Sequence, residues 1–128
     1  MTIIMKTDKF EKSISKIKDI EFKTAIEALL DQLELYGKEL KEPKCKHLEN
    51  NIWELKLYNK NHKSRILFFY AFDENNMNDE YAIIVILIKK QKNNYSKEIN
   101  YVKKIMKIFY LTYKTREELA KEYVKKSA

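Results

Sequence analysis

The chain is poor in the residues that most often interrupt or cross-link a fold, with one glycine, one proline and one cysteine among 128 residues. A single glycine excludes the glycine-rich loops that bind phosphates or dinucleotides, because those motifs need more than one. The one cysteine cannot form an internal disulfide, and no cysteine–histidine group has the spacing of a zinc site. No apolar run reaches the ~20 residues of a membrane helix. We therefore expect a cytoplasmic protein with no metal, no cofactor and no membrane contact.

Basic residues outnumber acidic ones, and the excess lies in the later part of the chain. Residues 1–42 carry a net charge of −1 and residues 43–128 carry +8, which together give the +7 of the whole chain. Such an excess favours phosphate contacts and binding that weakens as salt is added. A lysine-rich surface that only keeps the protein soluble fits the same charge, so charge alone does not separate these interpretations.

The first third of the chain predicts a strand followed by two helices. Residues 1–6 are expected to form a short edge strand. Asp8 is placed to cap the first helix and Asp19 the second. Gly37 is a plausible end for the second helix. Pro43 predicts an irregular connector after it.

Three strands are predicted next. Residues 65–72 and 81–88 are apolar throughout, as central strands covered on both faces are. Residues 52–58 alternate, and this predicts one buried and one exposed face. The expected buried side chains are Trp53, Leu55 and Leu57, and the expected exposed ones are Glu54, Lys56 and Tyr58.

Two helices are predicted to close the chain. Ser96 is placed to cap the first, and Thr115 with Glu118 has the spacing of a capping box for the second. The predicted order is β-α-α-β-β-β-α-α. This describes an α+β domain with a small antiparallel sheet, an N-terminal helix pair packed on it, and C-terminal helices. We assign residues 1–110 to the main domain and residues 111–128 to a helical extension of it.

Basic residues cluster at or near the ends of the predicted strands: Lys56, Arg65, Lys89, Lys90 and Lys92. If they converge, they form a basic pocket that suits RNA cleavage through attack of the neighbouring 2′-hydroxyl, which needs in-line positioning and stabilised phosphorane charge. Arg65 fits the charge role because its planar fork can grip two phosphate oxygens. Lys56 is a candidate general base, since a lysine in a cationic cluster loses its proton more easily. Each lysine taken alone also fits a solvated strand-end residue.

Three further residues are candidates for contacts with RNA. Tyr95 precedes a predicted helix and could stack on a base. His62 lies in a predicted turn and could take part in catalysis, although a surface histidine usually has no such role. Glu54 could act as a base, but a cross-strand ion pair fits it better.

Several segments taken together resemble a known family. They are Leu35-Tyr-Gly37, Lys46-His-Leu-Glu-Asn-Asn-Ile-Trp-Glu-Leu-Lys56, Arg65-Ile-Leu-Phe-Phe-Tyr70, Lys89-Lys90 and Lys97-Glu98-Ile99. Over about residues 1–110 the chain resembles the phage-derived branch of the RelE/HigB-type toxins. These toxins belong to the RelE/ParE superfamily of toxin–antitoxin systems.

The resemblance implies a small α+β endoribonuclease toxin that cleaves mRNA, commonly on the ribosome. It also implies a partner antitoxin, often a helix-turn-helix protein encoded beside the toxin. By position, the resemblance places Arg65 on the family's strand arginine and Lys56 where the family usually has arginine. It places Lys89 and Lys90 on the basic pair that follows the family's last strand.

The sequence departs from the family pattern at four places: Ser64, Leu87, Asn93 and Tyr95. These departures bear on rate and substrate preference more than on fold. The alternative is a non-catalytic interaction protein, or a gyrase poison, on the same fold.

Overall fold

The computed structural model describes residues 2–59, 62–72, 80–89 and 94–109. These residues form one five-stranded sheet with helices on both faces, which confirms the α+β prediction. In chain order the strands are β1 (Thr2–Lys6), β2 (Cys45–Glu49), β3 (Ile52–Asn59), β4 (His62–Phe72) and β5 (Glu80–Lys89). The helices are α1 (Asp8–Ser15) and α2 (Ile20–Tyr36), followed by a 3₁₀ turn (Gly37–Glu39) and, later, α3 (described over 96–109). The predicted final helix at 111–128 lies outside the described residues.

The sheet differs from the prediction in two respects. Its strand order is β1-β5-β4-β3-β2, and β1 runs parallel to β5, so the sheet is mixed rather than antiparallel. The segment after Pro43 also contains a strand, β2, where an irregular connector was predicted. This five-residue edge strand buries only Cys45 fully, so it lacks the apolar alternation by which strands are recognised.

The two N-terminal helices begin at side-chain caps. The hydroxyl of Thr7 accepts a hydrogen bond from the Phe10 amide at 3.2 Å, so Thr7 rather than Asp8 caps α1. Asp19 caps α2 as predicted, accepting from the Phe22 amide at 3.2 Å. Both caps satisfy amides that have no partner within the first turn of a helix.

Gly37 ends α2, as predicted, with a backbone φ of +54°. Glycine adopts positive φ without the steric penalty of a β-carbon. A β-carbon at this position would also collide with the hydroxyl of Thr2 in β1. The close approach of this turn to β1 therefore requires glycine for two reasons.

Each face of the sheet carries its own hydrophobic cluster. The helices α1 and α2 cover one face, where Phe10, Ile26 and Leu33 are fully buried against β4 and β5. The helix α3 covers the other face, where Val102 packs with Phe69 and other apolar residues. The prediction that β4 and β5 are central strands covered on both faces is therefore confirmed.

A β-bulge interrupts the pairing of β4 with β5. Leu67 pairs with Ile86 and Phe68 pairs with Ile84, so Val85 is the extra residue on β5. Thr7 holds this irregularity, because its hydroxyl donates to the Val85 carbonyl at 2.8 Å. A bulge shifts the side-chain alternation of everything beyond it by one residue. The side chains of β5 after Val85 therefore lie on the opposite faces from those that they would occupy in an uninterrupted strand.

Candidate functional site

Two of the predicted basic residues lie directly opposite each other in the sheet. Lys56 of β3 is paired with Arg65 of β4 in the antiparallel register. Partners in such a register share a face, here the face that α3 covers. Glu54 and Tyr58 flank Lys56 at two-residue spacing along β3 and so share this face. We call Glu54, Lys56, Tyr58 and Arg65, together with Tyr95 before α3, the Arg65 cluster.

The guanidinium of Arg65 is buried and already engaged within the protein. Arg65 is 3% exposed. Its Nε lies 3.8 Å from Oε2 of Glu54, and its Nη1 donates to the Ser64 carbonyl at 3.1 Å. The centre of the guanidinium lies 5.3 Å from the Tyr58 ring centroid. The guanidinium of Arg65 therefore lies beneath the protein surface rather than on it.

Glu54 is buried as well, so the prediction that its side chain is exposed is wrong. It is 4% exposed, because α3 packs on the face that the strand pattern predicted to be open. The cross-strand ion pair that we favoured for Glu54 is present, with Arg65 as its partner. Within the described part of the chain, Oε2 accepts no hydrogen bond. The carboxylate is thus held by charge and keeps an unused acceptor.

Tyr95 brings the start of α3 against the same guanidinium. Burial raises the pKa of its hydroxyl, and the charge of Arg65 and a hydrogen bond from that residue oppose the rise. The negative charge of Glu54 adds to the rise. At neutral pH the hydroxyl therefore keeps its proton and remains a hydrogen-bond donor. The carbonyl of Tyr95 accepts the amide of Ile99 at 2.8 Å, so Tyr95 takes the N-cap position, and Ser96, the predicted cap, is instead the first residue of α3.

The parts of this face that reach solvent are cationic and aromatic. Tyr58 is 64% exposed and Lys56 is half-buried. Lys63 pairs with Tyr58 across the strands, and Lys46 pairs with Glu54; both lysines are exposed. Sequence reasoning missed Lys46 and Lys63. Lys63 lies outside the predicted strand 65–72, and Lys46 lies on β2, a strand that was not predicted.

Lys89 does not join this group, so the expectation that all the basic strand-end residues converge is wrong. It is opposite Ser64, the neighbour of Arg65, and it lines a cleft formed with α1 and α2 on the other face. The Val85 bulge is the reason. In an unbroken strand Lys89 would share the face of Ile83, which belongs to the α3 side.

A family of known proteins matches most of this chain. Residues 7–107 match the family model described as phage-derived protein Gp49-like (DUF891). This chain belongs to the Gp49-like family. No curated protein matches it. The matched span includes every strand except β1 and every member of the Arg65 cluster.

The remaining candidates in this Gp49-like chain are only partly placed. Lys90 and Lys92 lie outside the described residues. The backbone of His62 pairs with Asn59 at the start of β4, but its side chain is not described. His47 is exposed and packs its ring 4.6 Å from that of Trp53, away from Arg65.

The described ranges contain neither a group of metal ligands nor a membrane-spanning helix. Across residues 2–59, 62–72, 80–89 and 94–109, no three histidine, cysteine or acidic side chains are grouped as ligands for a metal ion. Over the same ranges, no helix combines the length and the apolar character needed to cross a bilayer.

Proposed function

We propose that this Gp49-like protein is the toxin of a type II toxin–antitoxin system and that it cleaves mRNA on the ribosome. The observation that carries the proposal is the pairing of Lys56 with Arg65 on one sheet face, beside two tyrosines. Membership in a family of phage-derived proteins supports it. The resemblance to RelE/HigB-type toxins that the sequence carries is the further support.

The reaction proposed is attack of a ribose 2′-oxygen on the adjacent phosphorus. The bond from phosphorus to the 5′-oxygen breaks, leaving a 2′,3′-cyclic phosphate and a new 5′-hydroxyl. Lys56 takes the 2′-hydroxyl proton, and a solvent water protonates the departing 5′-oxygen on the opposite side of the phosphorus, so that the proton balance closes. The positive charges of the site stabilise the phosphorane.

We assign different roles to the two basic residues because their exposure differs. Lys56 reaches solvent and is the group that meets the phosphate. Arg65 is 3% exposed, so it acts from behind, adding positive charge in a poorly solvated setting. It also orients Tyr95 through its side-chain hydrogen bond. Tyr58, 64% exposed, offers a surface on which a base can stack.

The proposal also assigns partners. A toxin of this kind requires a neutralising antitoxin, and we propose a helix-turn-helix protein encoded beside it. The exposed Lys46 and Lys63 extend the cationic surface around Lys56 and suit contacts with ribosomal or messenger RNA phosphates. All of these contacts would take place in the cytoplasm.

A second function is favoured by one specific observation. The guanidinium of Arg65 is committed to Glu54 and to the Ser64 carbonyl, and this is typical of a structural ion pair. A non-catalytic interaction protein or a gyrase poison on the same fold would keep such a pair without using it for chemistry.

The two functions are separated by inducing the chain in bacteria and mapping mRNA 5′ ends. Variant Lys56→Gln tests the proposed contact, and Lys104→Gln, which changes an exposed lysine of α3, is its matched control. Growth arrest with new cuts in wild type and control, but not in Lys56→Gln, supports the nuclease. Arrest with intact messages and broken chromosomal DNA supports a gyrase poison. Normal growth, with the wild-type protein present in soluble form, would contradict both the nuclease and the gyrase-poison hypotheses.

A further inference from the structure

A second cationic surface lies on the opposite face of the sheet from Arg65. An open cleft of about 580 Å³ runs between the α1–α2 turn and the end of β5. Its lining combines apolar and charged side chains: Ser13, Lys16, Ile17, Lys18, Asp19, Phe22, Leu87 and Lys89. We call it the Lys16–Lys89 cleft.

The charged lining of the cleft is predominantly basic. Lys16, Lys18 and Lys89 are all exposed. Among the described residues, no carboxylate lies within 4.0 Å of their ammonium groups. Asp19, the acidic side chain among the described lining residues, accepts the Phe22 amide as the cap of α2. Among the described residues of the lining, three basic side chains therefore stand against one acidic side chain.

The floor of the cleft is apolar. Ile17 and Leu87 are half-buried, and Phe22 is 2% exposed behind them. Ile20, which follows the lining residue Asp19 in sequence, is 79% exposed and adds apolar surface at the start of α2. Large apolar side chains left open beside a charged rim mark surfaces that bind other molecules.

We propose that the Lys16–Lys89 cleft binds an acidic amphipathic segment of a partner protein. A helical segment with apolar residues at i, i+3 or i+4, and i+7 would place them on Ile17 and Leu87. Its flanking carboxylates would meet the three rim lysines, giving complementary charge. A nucleic acid satisfies the rim through its phosphates but leaves the aliphatic floor without an apolar partner. The protein segment therefore fits both parts of the cleft.

This surface is separate from the proposed catalytic face. Lys89 and Ser64 are directly opposite in the sheet, and Arg65 next to Ser64 points to the other side. The Val85 bulge, held by Thr7, is what presents Lys89 to the cleft. The inference does not rest on the proposed nuclease activity, and variants in the cleft leave the Arg65 cluster unchanged.

The test uses the full chain and a synthetic helical peptide of about four turns, with leucines on one face and glutamates beside them. Binding is measured by calorimetry at low salt, and methyl NMR signals of Ile17 and Leu87 locate it. The protein variant is Lys16→Glu with Lys18→Glu. The matched control, Lys104→Glu with Lys107→Glu, makes the same charge change at exposed positions of α3. A second peptide with every glutamate replaced by lysine controls for the apolar face alone.

We expect the acidic peptide to shift the Ile17 and Leu87 methyl signals and to bind the cleft variant at least about tenfold more weakly. The α3 control should change affinity by less than about threefold. Equal binding of both peptides, no binding of the acidic peptide, or shifts confined to other methyls would overturn the proposal. A single-stranded RNA that shifts the same methyls, where the peptide does not, would assign the cleft to nucleic acid instead.

Discussion

Loss of the Arg65 charge is predicted to destabilise the fold through the carboxylate that it leaves behind. In the variant Arg65→Met the side-chain length is nearly kept while the charge is removed. The Arg65 Nε and Glu54 Oε2 atoms are 3.8 Å apart, with the two side chains 4% and 6% exposed. At that separation the Coulomb attraction is about 4 kcal/mol for an effective dielectric constant of about 20. Desolvation of both charges offsets much of this in the intact pair.

Removal of one partner is a different matter, because a buried charge then remains without compensation. Such changes cost about 3–5 kcal/mol. We expect the lower end, about 3 kcal/mol, because the exposed Lys46 is paired with Glu54 across β2 and β3 and can supply part of the lost charge. The double variant Glu54→Gln with Arg65→Met removes both charges and should unfold within about 1 kcal/mol of wild type.

The assay is urea unfolding followed by far-ultraviolet circular dichroism. With a slope of about 2 kcal/mol per molar urea, Arg65→Met should lower the midpoint by about 1.5 M, and the double variant should restore most of it. A single variant within about 0.5 kcal/mol of wild type would refute the reasoning. So would a double variant that is as unstable as the sum of the two singles, because the charges would then be uncoupled.

Three further predictions concern Thr7, Gly37 and Cys45. Thr7→Val removes both the cap of α1 and the hydrogen bond to the Val85 carbonyl, and it should lower the free energy of unfolding by about 2 kcal/mol. Thr7→Ser keeps the hydroxyl and should lose much less stability, and equal losses in the two variants would contradict this. Gly37→Ala should lower the free energy of unfolding, measured in urea, by about 2 kcal/mol. Adding Thr2→Ala removes the collision with the Thr2 hydroxyl but leaves the positive φ, so it should recover only part of the loss. Full recovery would show that the positive φ carries no strain. Burial, reinforced by the charge of Glu54, raises the pKa of Cys45 to about 11. At pH 8 its thiol should therefore react with a disulfide reagent about a hundredfold more slowly in the folded than in the unfolded chain, and equal rates would contradict the burial. Because this folded pKa lies above the unfolded value, its contribution to stability is complete below about pH 9 and is lost as pH rises towards 11.

The arrangement of the site was only partly open to prediction from the sequence. The turn between β3 and β4 leaves only residues 60–61 between the strands, and Asn59 pairs with His62. Counting outward from that pair places Lys56 opposite Arg65. The alternation of β3 then places Glu54 and Tyr58 on the same face. The predicted strands 52–58 and 65–72 leave six residues between them, so the register is fixed only by the structure, in which residues 60–61 alone separate the strands.

The position of Lys89 was not open to prediction. The segment 81–88 is apolar throughout, so it has no alternation from which a bulge could be recognised. The bulge at Val85 depends on Thr7, which is remote in sequence. A one-residue irregularity of this kind reverses the face of every later side chain.

The burial of Glu54 also depended on distant structure. Its strand pattern is that of a face open to water, and only the packing of α3 on that face changes the outcome. Tyr95 illustrates the same dependence. Its approach to Arg65 follows from where α3 begins, not from any local motif.

The most direct test of the central claim is the product of the reaction with Lys56 altered. Purified wild-type chain, Lys56→Gln and Lys104→Gln would each be added to ribosomes translating a defined message, and the new RNA ends would be mapped. The account predicts cuts ending in a 2′,3′-cyclic phosphate with wild type and Lys104→Gln, and a rate lower by at least about a hundredfold with Lys56→Gln. Cuts of equal rate with Lys56→Gln, or no cuts with the wild-type chain, would contradict it.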